Sequence, residues 1–390
     1  MQRIYFDNNA TSPLLPEVLE AMRPVLEGGF GNASSIHREG QRARAAVEQA
    51  REQVARLLNA RASEIVFTGG GTESDNTALH GILRPGDHLI TSAIEHHAIL
   101  NGAEFEKKLG CEATFLPVDG QGLVNPCDLR KALRPNTKLI SVMMANNETG
   151  VLEPVGELAR IAQEAGICFH TDAVQASGRV PVDVEALGCN LLSLSGHKLH
   201  APQGVGVLYV RRGTMIRPLL VGGRQERGRR AGTENLAAIV GLGKAAELAR
   251  LWLEEGGASR MAALRDRLEQ GIAAAVPQTR INSSAAPRVP NTSNIVFECT
   301  EGEALVIAMD LKGVALSTGS ACSSGSIDPS HVLLAMGLDD TRARASVRFS
   351  LGRQNTAEEV EQVLALLPEA VAHLRELSPL WSRRAEGAAR

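Results

Sequence analysis

Between Glu64 and Val210, short apolar runs alternate with segments of helical periodicity, and this alternation limits the fold more than any other feature of the chain. The candidate strands are Glu64–Thr68, His88–Ser92, Leu139–Ala145, Cys168–Asp172, Leu191–Ser195 and Val205–Val210. Between them lie patterns such as Leu158, Ile161, Ala162 and Ala165, which share one helical face. Near-continuous apolar strands separated by helices predict an α/β fold with a mostly parallel sheet flanked by helices.

The pattern breaks at the Gly-rich stretch after Glu254. A helix carrying Met261, Leu264, Leu268 and Ile272 follows, then a strand at Ser293–Cys299. The chain closes with a helix whose capping box is Thr356 with Glu359. The division predicted is a large domain over residues 12–255 and a smaller α+β domain formed by residues 1–11 and 256–390.

With 3% aromatic residues and a net charge of −3, the chain has neither stacking platforms nor a basic footprint, so no nucleic-acid or membrane-surface role is expected. No run approaches the roughly 18 apolar residues that a membrane span needs. The six scattered cysteines form no CxxC pair, which argues against a disulfide framework or a zinc site and for a reducing, cytoplasmic setting.

Chemistry-bearing residues recur at strand ends. Thr68-Gly-Gly-Gly-Thr-Glu-Ser-Asp-Asn joins a strand to a helix, where small residues and free N–H groups can cradle a phosphate; a plain tight turn is the alternative. His170-Thr-Asp-Ala-Val-Gln places Asp172 and Gln175 at the next such edge, where Asp172 could hold a protonated pyridine nitrogen or merely cap a helix. Ser193-Leu-Ser-Gly-His-Lys puts Lys198 at another, in a setting suited to a Schiff-base lysine. His96 or His97 could stack on a planar ring, and Asn146-Asn-Glu-Thr-Gly adds an amide. Each signal is weak alone, but together they supply what a pyridoxal phosphate (PLP) site requires.

The sequence resembles the NifS/IscS-type cysteine desulfurases, within the class V aminotransferase-like group of fold-type I PLP enzymes. The likeness runs from Tyr5-Phe-Asp-Asn-Asn-Ala-Thr to Leu377-Ser-Pro-Leu-Trp. It is strongest at the glycine motif, Asn146-Asn-Glu-Thr-Gly-Val, Ser195-Gly-His-Lys, Arg230-Ala-Gly-Thr-Glu-Asn and Ser317-Thr-Gly-Ser-Ala-Cys-Ser-Ser-Gly.

The resemblance implies that Gly71, Thr72, Ser195 and His197 bind the cofactor phosphate and that Lys198 carries the cofactor. Asp172 would pair with the pyridine nitrogen, Gln175 and Asn147 would lie near the ring hydroxyl, and His96 would stack over the ring and take part in proton transfer. Thr233 would reach the phosphate from the other subunit of a homodimer. Arg348, with Asn147, would bind the substrate; a guanidinium grips a carboxylate bidentately, although a plain salt bridge is the alternative.

Cys322 lies among small polar residues, which predicts a mobile loop rather than the apolar strands expected around Cys168 and Cys299. By the resemblance, its thiolate takes the sulfur of L-cysteine as a persulfide, L-alanine is released, and an iron–sulfur scaffold or another acceptor receives the sulfur. A selenocysteine lyase, an aminotransferase or a sulfur carrier that binds PLP structurally are the competing readings. Ser12, Ala33, Ala201 and Gln203 depart from the residues usual in the group, and none of these departures removes a catalytic side chain.

Overall fold

The computed structural model describes residues 3–318, 328–379 and 381. In chain order the strands are β1 (Ile4–Tyr5), β2 (Ile65–Thr68), β3 (His88–Ser92), β4 (Glu112–Leu116), β5 (Thr137–Ser141) and β6 (Cys168–Asp172). They continue with β7 (Leu191–Ser195), β8 (Gly206–Val210), β9 (Thr279–Ile281), β10 (Thr292–Phe297), β11 (Val314–Ala315) and β12 (Ser346–Ser350).

The central sheet has seven strands in the order β2-β8-β7-β6-β5-β3-β4. Strands β7, β6, β5, β3 and β4 pair parallel, while β8 runs antiparallel to both neighbours. Its reversal follows from chain length. A parallel return needs a crossover of a dozen or more residues, and only residues 196–205 separate β7 from β8. Those residues form a short 3₁₀ turn, Gly196–Lys198, followed by a loop.

Two expected strands shift by more than one residue at an end, and β2 and β8 each start one residue late. The run read as Leu139–Ala145 is a strand only over Thr137–Ser141, because its last residues bend toward Asn146, whose side chain donates to the Ile94 carbonyl. The strand expected to end at Cys299 ends at Phe297, and Cys299 lies buried in the turn beyond it with φ 64°. Strands β4 and β12 were not anticipated. The first is a half-exposed edge, and the second interleaves buried Ser346, Arg348 and Ser350 with apolar residues, so neither reads as an apolar run.

Apolar side chains gather into two main clusters. One extends from Val18 to Ala249 and adds Val289; it packs the faces of the central sheet against helices such as Arg38–Leu58 and Leu236–Glu254. The other joins Ile4 and Phe6 to residues from Met261 to Val371, around the antiparallel sheet β12-β10-β9. The N-terminal strand β1 pairs with β11, so the first residues cross into the second cluster. The closing helix, Ala357–Leu377, starts at the expected capping box: Glu359 N–H donates to Thr356 Oγ1, and Thr356 N–H donates to Glu359 Oε2.

Candidate active site

The carboxyl ends of β2, β3, β5, β6 and β7 open onto one cavity of about 320 Å³. Gly71, Thr72, His96, Asn147, Asp172, Gln175, Ser195, His197, Lys198 and Arg348 all line it. Of the residues that the resemblance assigns to the site, only Thr233 and Cys322 are not among them, and His97, the alternative stacking ring, lies instead against His331 at 4.8 Å between ring centroids. Thr233 is exposed ahead of the helix Leu236–Glu254, and Cys322 falls outside the described residues.

At one end, β2 turns at Gly70, with φ 155°, into the helix Gly71–Ile82. A Cβ on Gly71 would meet Val174 Cγ2 at 3.0 Å, and one on Gly206 would meet the Gly70 backbone at 2.6 Å. Gly206 therefore packs against the Gly70 backbone and Gly71 against the Val174 and Ser195 side chains, and the first turn of the helix lines a cleft shared with Ser195 and His197. Free N–H groups, a positive dipole end and neutral donors suit a phosphate.

Lys198 follows β7 in the 3₁₀ turn. Its Nζ donates to the carbonyls of Asn9, at 2.5 Å, and Ala10, at 2.6 Å. The segment before the first helix is laced to this turn: Ser12 N–H donates to His197 O, and His197 Nδ1 lies 3.1 Å from Thr11 Oγ1.

Asp172 ends β6, is almost fully buried, and accepts from Val174 N–H at 2.9 Å. Burial raises its carboxyl pKa, while the charge on Lys198 pulls it down. Behind it lie two more buried acids. Asp75 Oδ1 and Glu95 Oε2 have no hydrogen-bond partner among the described residues, and burial pushes Asp75 well above the carboxylate range and Glu95 up to about 8. His170, held between Ser141 Oγ and Ser193 Oγ, is driven down to about 3 by burial. A cationic ring nitrogen against Asp172 would relieve this excess of buried acid.

His96 caps the helix His97–Lys108, with its Nδ1 accepting from Ala98 N–H. Burial first, then the Lys198 charge, lowers its pKa to about 4, so the ring is neutral. With Nδ1 accepting, its proton resides on Nε2. Gln175 Nε2 donates to Asn9 O, and Asn147 O accepts from both Asn9 Nδ2 and Arg348.

Arg348 is 2% exposed; one nitrogen donates to Asp7 Oδ1 at 2.8 Å and another to Asn147 O at 2.9 Å. The salt bridge weighed as the alternative is present, and Arg348 also lines the cavity, while its Nε is fully buried with no hydrogen-bond partner among the described residues. Each terminal nitrogen of the guanidinium keeps a second N–H beyond its bond to Asn147 or Asp7, and such donors suit a carboxylate ligand.

Four contributors escaped the sequence reading: the Asn9 and Ala10 carbonyls, Asp75, and Arg179 behind Gln175. Asn9, Ala10 and Asp75 lie inside quoted motifs. Backbone acceptors, however, leave no residue-type signature, and nothing in the pattern says that Arg179 points inward.

The site residues thus fit a flat, phosphate-bearing aldehyde: a phosphate cradle, an amine, a buried carboxylate and an amide around one cavity. The model of the class-V aminotransferases matches residues 4–363. The chain belongs to that family. Class-V relatives that resemble it over nearly its whole length include a cysteine desulfurase IscS of Dictyoglomus turgidum, 48% identical over 382 residues and 97% of each chain. Another, from Methanosarcina thermophila, is 50% identical over 97% of this chain and 94% of its own.

A solved NifS-like protein superposes with a TM-score of 0.89 at 37% identity, covering 96% of this chain and all of that one. SspA, solved in complex with cysteine, gives 0.79 at 36% identity over 90% of this chain and 100% of its own. Within the class-V family the chain is a NifS/IscS-type cysteine desulfurase, and its cofactor is PLP.

Proposed function

We propose that this cysteine desulfurase works as a homodimer in the cytoplasm, takes sulfur from L-cysteine onto Cys322, releases L-alanine, and hands the sulfur to an iron–sulfur scaffold or another acceptor protein. The observation that carries this reading is the position of Lys198 Nζ, in one cavity with the phosphate cradle, Asp172 and Arg348.

When bound, PLP supplies an electron sink for the substrate α-carbon. Gly71, Thr72, Ser195 and His197 hold its phosphate, Asp172 holds the proton on its ring nitrogen, and Gln175 and Asn147 orient its hydroxyl edge. Lys198 holds it covalently. His96 covers the ring and donates or recovers a proton through Nε2. The guanidinium of Arg348, steadied by Asp7 and Asn147, turns the remaining N–H donors of its terminal nitrogens to the substrate carboxylate. The Cys322 thiolate then attacks the substrate sulfur: the S–S bond of the persulfide forms as the substrate's Cβ–S bond breaks, and the electron pair stays on the carbon, which takes up a proton and leaves as L-alanine.

The dimer is supported by Thr233, which is exposed and lines neither the main cavity nor the phosphate cleft of its own chain, so a second subunit would bring this hydroxyl to the cradle. The two apolar clusters support assigning residues 12–255 to a large domain and residues 1–11 with 256–390 to a smaller one. No helix among the described residues is long and apolar enough to cross a membrane.

Borohydride reduction of the yellow holoenzyme, followed by digestion and mass analysis, tests the site. The reduced cofactor is expected on the peptide carrying Lys198 and absent from Lys198→Ala. A covalently reducible cofactor in that variant would overturn the assignment.

A further inference from the structure

Arg179 follows β6 by a few residues and is almost fully buried, yet no carboxylate of the described residues pairs with it. Its guanidinium donates instead to three neutral oxygens: the Gln175 carbonyl, the Gln175 side-chain Oε1, and the Asn8 carbonyl at 3.2 Å. Burying a cation without a counter-ion is costly, so such a group persists where it acts on an anion or fixes a neighbour.

The second condition holds here. Gln175 Oε1 is taken by Arg179, which leaves Nε2 as the end of the amide on the Asn9 side, in the cavity. Arg179 also shares a small void of about 20 Å³ with Lys198, on the side away from the main cavity.

We infer that Arg179 is a positioning residue of the cofactor site: it locks the Gln175 amide with its nitrogen toward the cofactor and sets a fixed positive charge behind Lys198. The inference rests on the proposed place of Gln175 at the ring hydroxyl. A donor amide and a nearby cation both stabilise that oxygen as an anion. The same cation disfavours a proton on the nitrogen that joins Lys198 to the cofactor.

The other charged groups around Arg179 do not cancel it. Arg348, on β12, and Arg353, beyond that strand, add positive charge; burial first, then these two cations, presses Arg179 itself down to about 9. His197 and His200, on the Lys198 turn, are both lowered to about 4 by burial first and stay neutral. Asp7 is engaged by Arg348, and Asp172 faces the ring nitrogen from β6.

The test is the pH midpoint of the colour change of the holoenzyme, read by visible absorption without substrate. Arg179→Gln removes the charge but keeps a polar side chain, and its midpoint is expected to rise by about one pH unit, a tenfold change in proton affinity. Arg179→Lys is expected to stay within about 0.3 unit of wild type, and Gln175→Leu to rise in the same direction as Arg179→Gln.

A Gln175→Leu midpoint equal to wild type would refute the place given to Gln175. A shifted Gln175→Leu beside an unmoved Arg179→Gln would refute the role of Arg179 alone. If Arg179→Gln yields no folded holoenzyme, Arg179→Lys decides: a midpoint near wild type supports the charge, and a shift as large as that of Gln175→Leu overturns it.

Discussion

Ser317 and Arg348 exchange both backbone hydrogen bonds: Arg348 N–H donates to Ser317 O at 2.7 Å, and Ser317 N–H to Arg348 O at 3.4 Å. The segment that leads to Cys322 therefore departs from the strand whose side chain lines the cavity beside Lys198. Cys322 follows Ser317 by five residues, at most about 18 Å of extended chain. On its far side the chain is held again, where Ser330 Oγ donates to the buried Glu148 carboxylate at 2.5 Å. Both anchors adjoin the site: Arg348 lines the cavity, and Glu148 follows Asn147, which lines it too.

Arg348→Lys keeps the charge but loses the fork that spans Asp7, Asn147 and the cavity. A charge-assisted hydrogen bond contributes about 1.5–3 kcal/mol, so KM for L-cysteine should rise about 10- to 100-fold. Steady-state kinetics check this. A lowered melting temperature with unchanged KM would reduce Arg348 to a structural ion pair.

The buried ionisable groups predict a stability maximum in mildly acidic solution. His96, His170, His197 and His200 have folded pKa values lowered from 6.5 to between about 3 and about 4, so the unfolded chain binds more protons there and stability falls as pH drops from about 6.5. Glu95 and Glu153 are raised to about 8, so the folded chain binds more protons above pH 4.5 and stability falls as pH rises toward 8. Urea unfolding of the cofactor-free protein across pH 4–9 should give this dome, and Glu95→Gln should flatten its alkaline limb. An alkaline limb unchanged in that variant would contradict the burial argument.

Thr356→Ala removes one half of the capping box at the start of the closing helix. It should cost about 1 kcal/mol in urea unfolding while leaving L-cysteine turnover unchanged, because the helix packs in the second apolar cluster away from the cavity. A variant as stable as wild type would show that the cap is dispensable.

The central sheet was legible because its strands are apolar runs and its turns carry glycines and polar residues at fixed offsets. β3, β6 and β7 match the expected bounds residue for residue. β12 was illegible as a strand because Ser346, Arg348 and Ser350 alternate inward with polar groups that serve the site. The same limit applies to the site itself. Asp172, Gln175 and Lys198 stood out as side chains at strand ends, whereas the Asn9 and Ala10 carbonyls that receive Lys198 are backbone groups whose role depends on how the chain returns. Arg179 was missed for the converse reason: an arginine is read as surface charge, and only the packing of Asn8 and Gln175 around it reveals that it is buried.

The central claim is that Cys322 takes the sulfur. Wild type and Cys322→Ser holoenzymes, each loaded with PLP and showing the same colour, should be given L-cysteine, with alanine and sulfide measured under reductant and the protein mass measured without it. The wild type is expected to release both products and to carry one extra sulfur on the peptide containing Cys322. The variant is expected to keep its colour, gain no sulfur and turn over at least about 100-fold more slowly. Undiminished alanine and sulfide from Cys322→Ser would contradict the account.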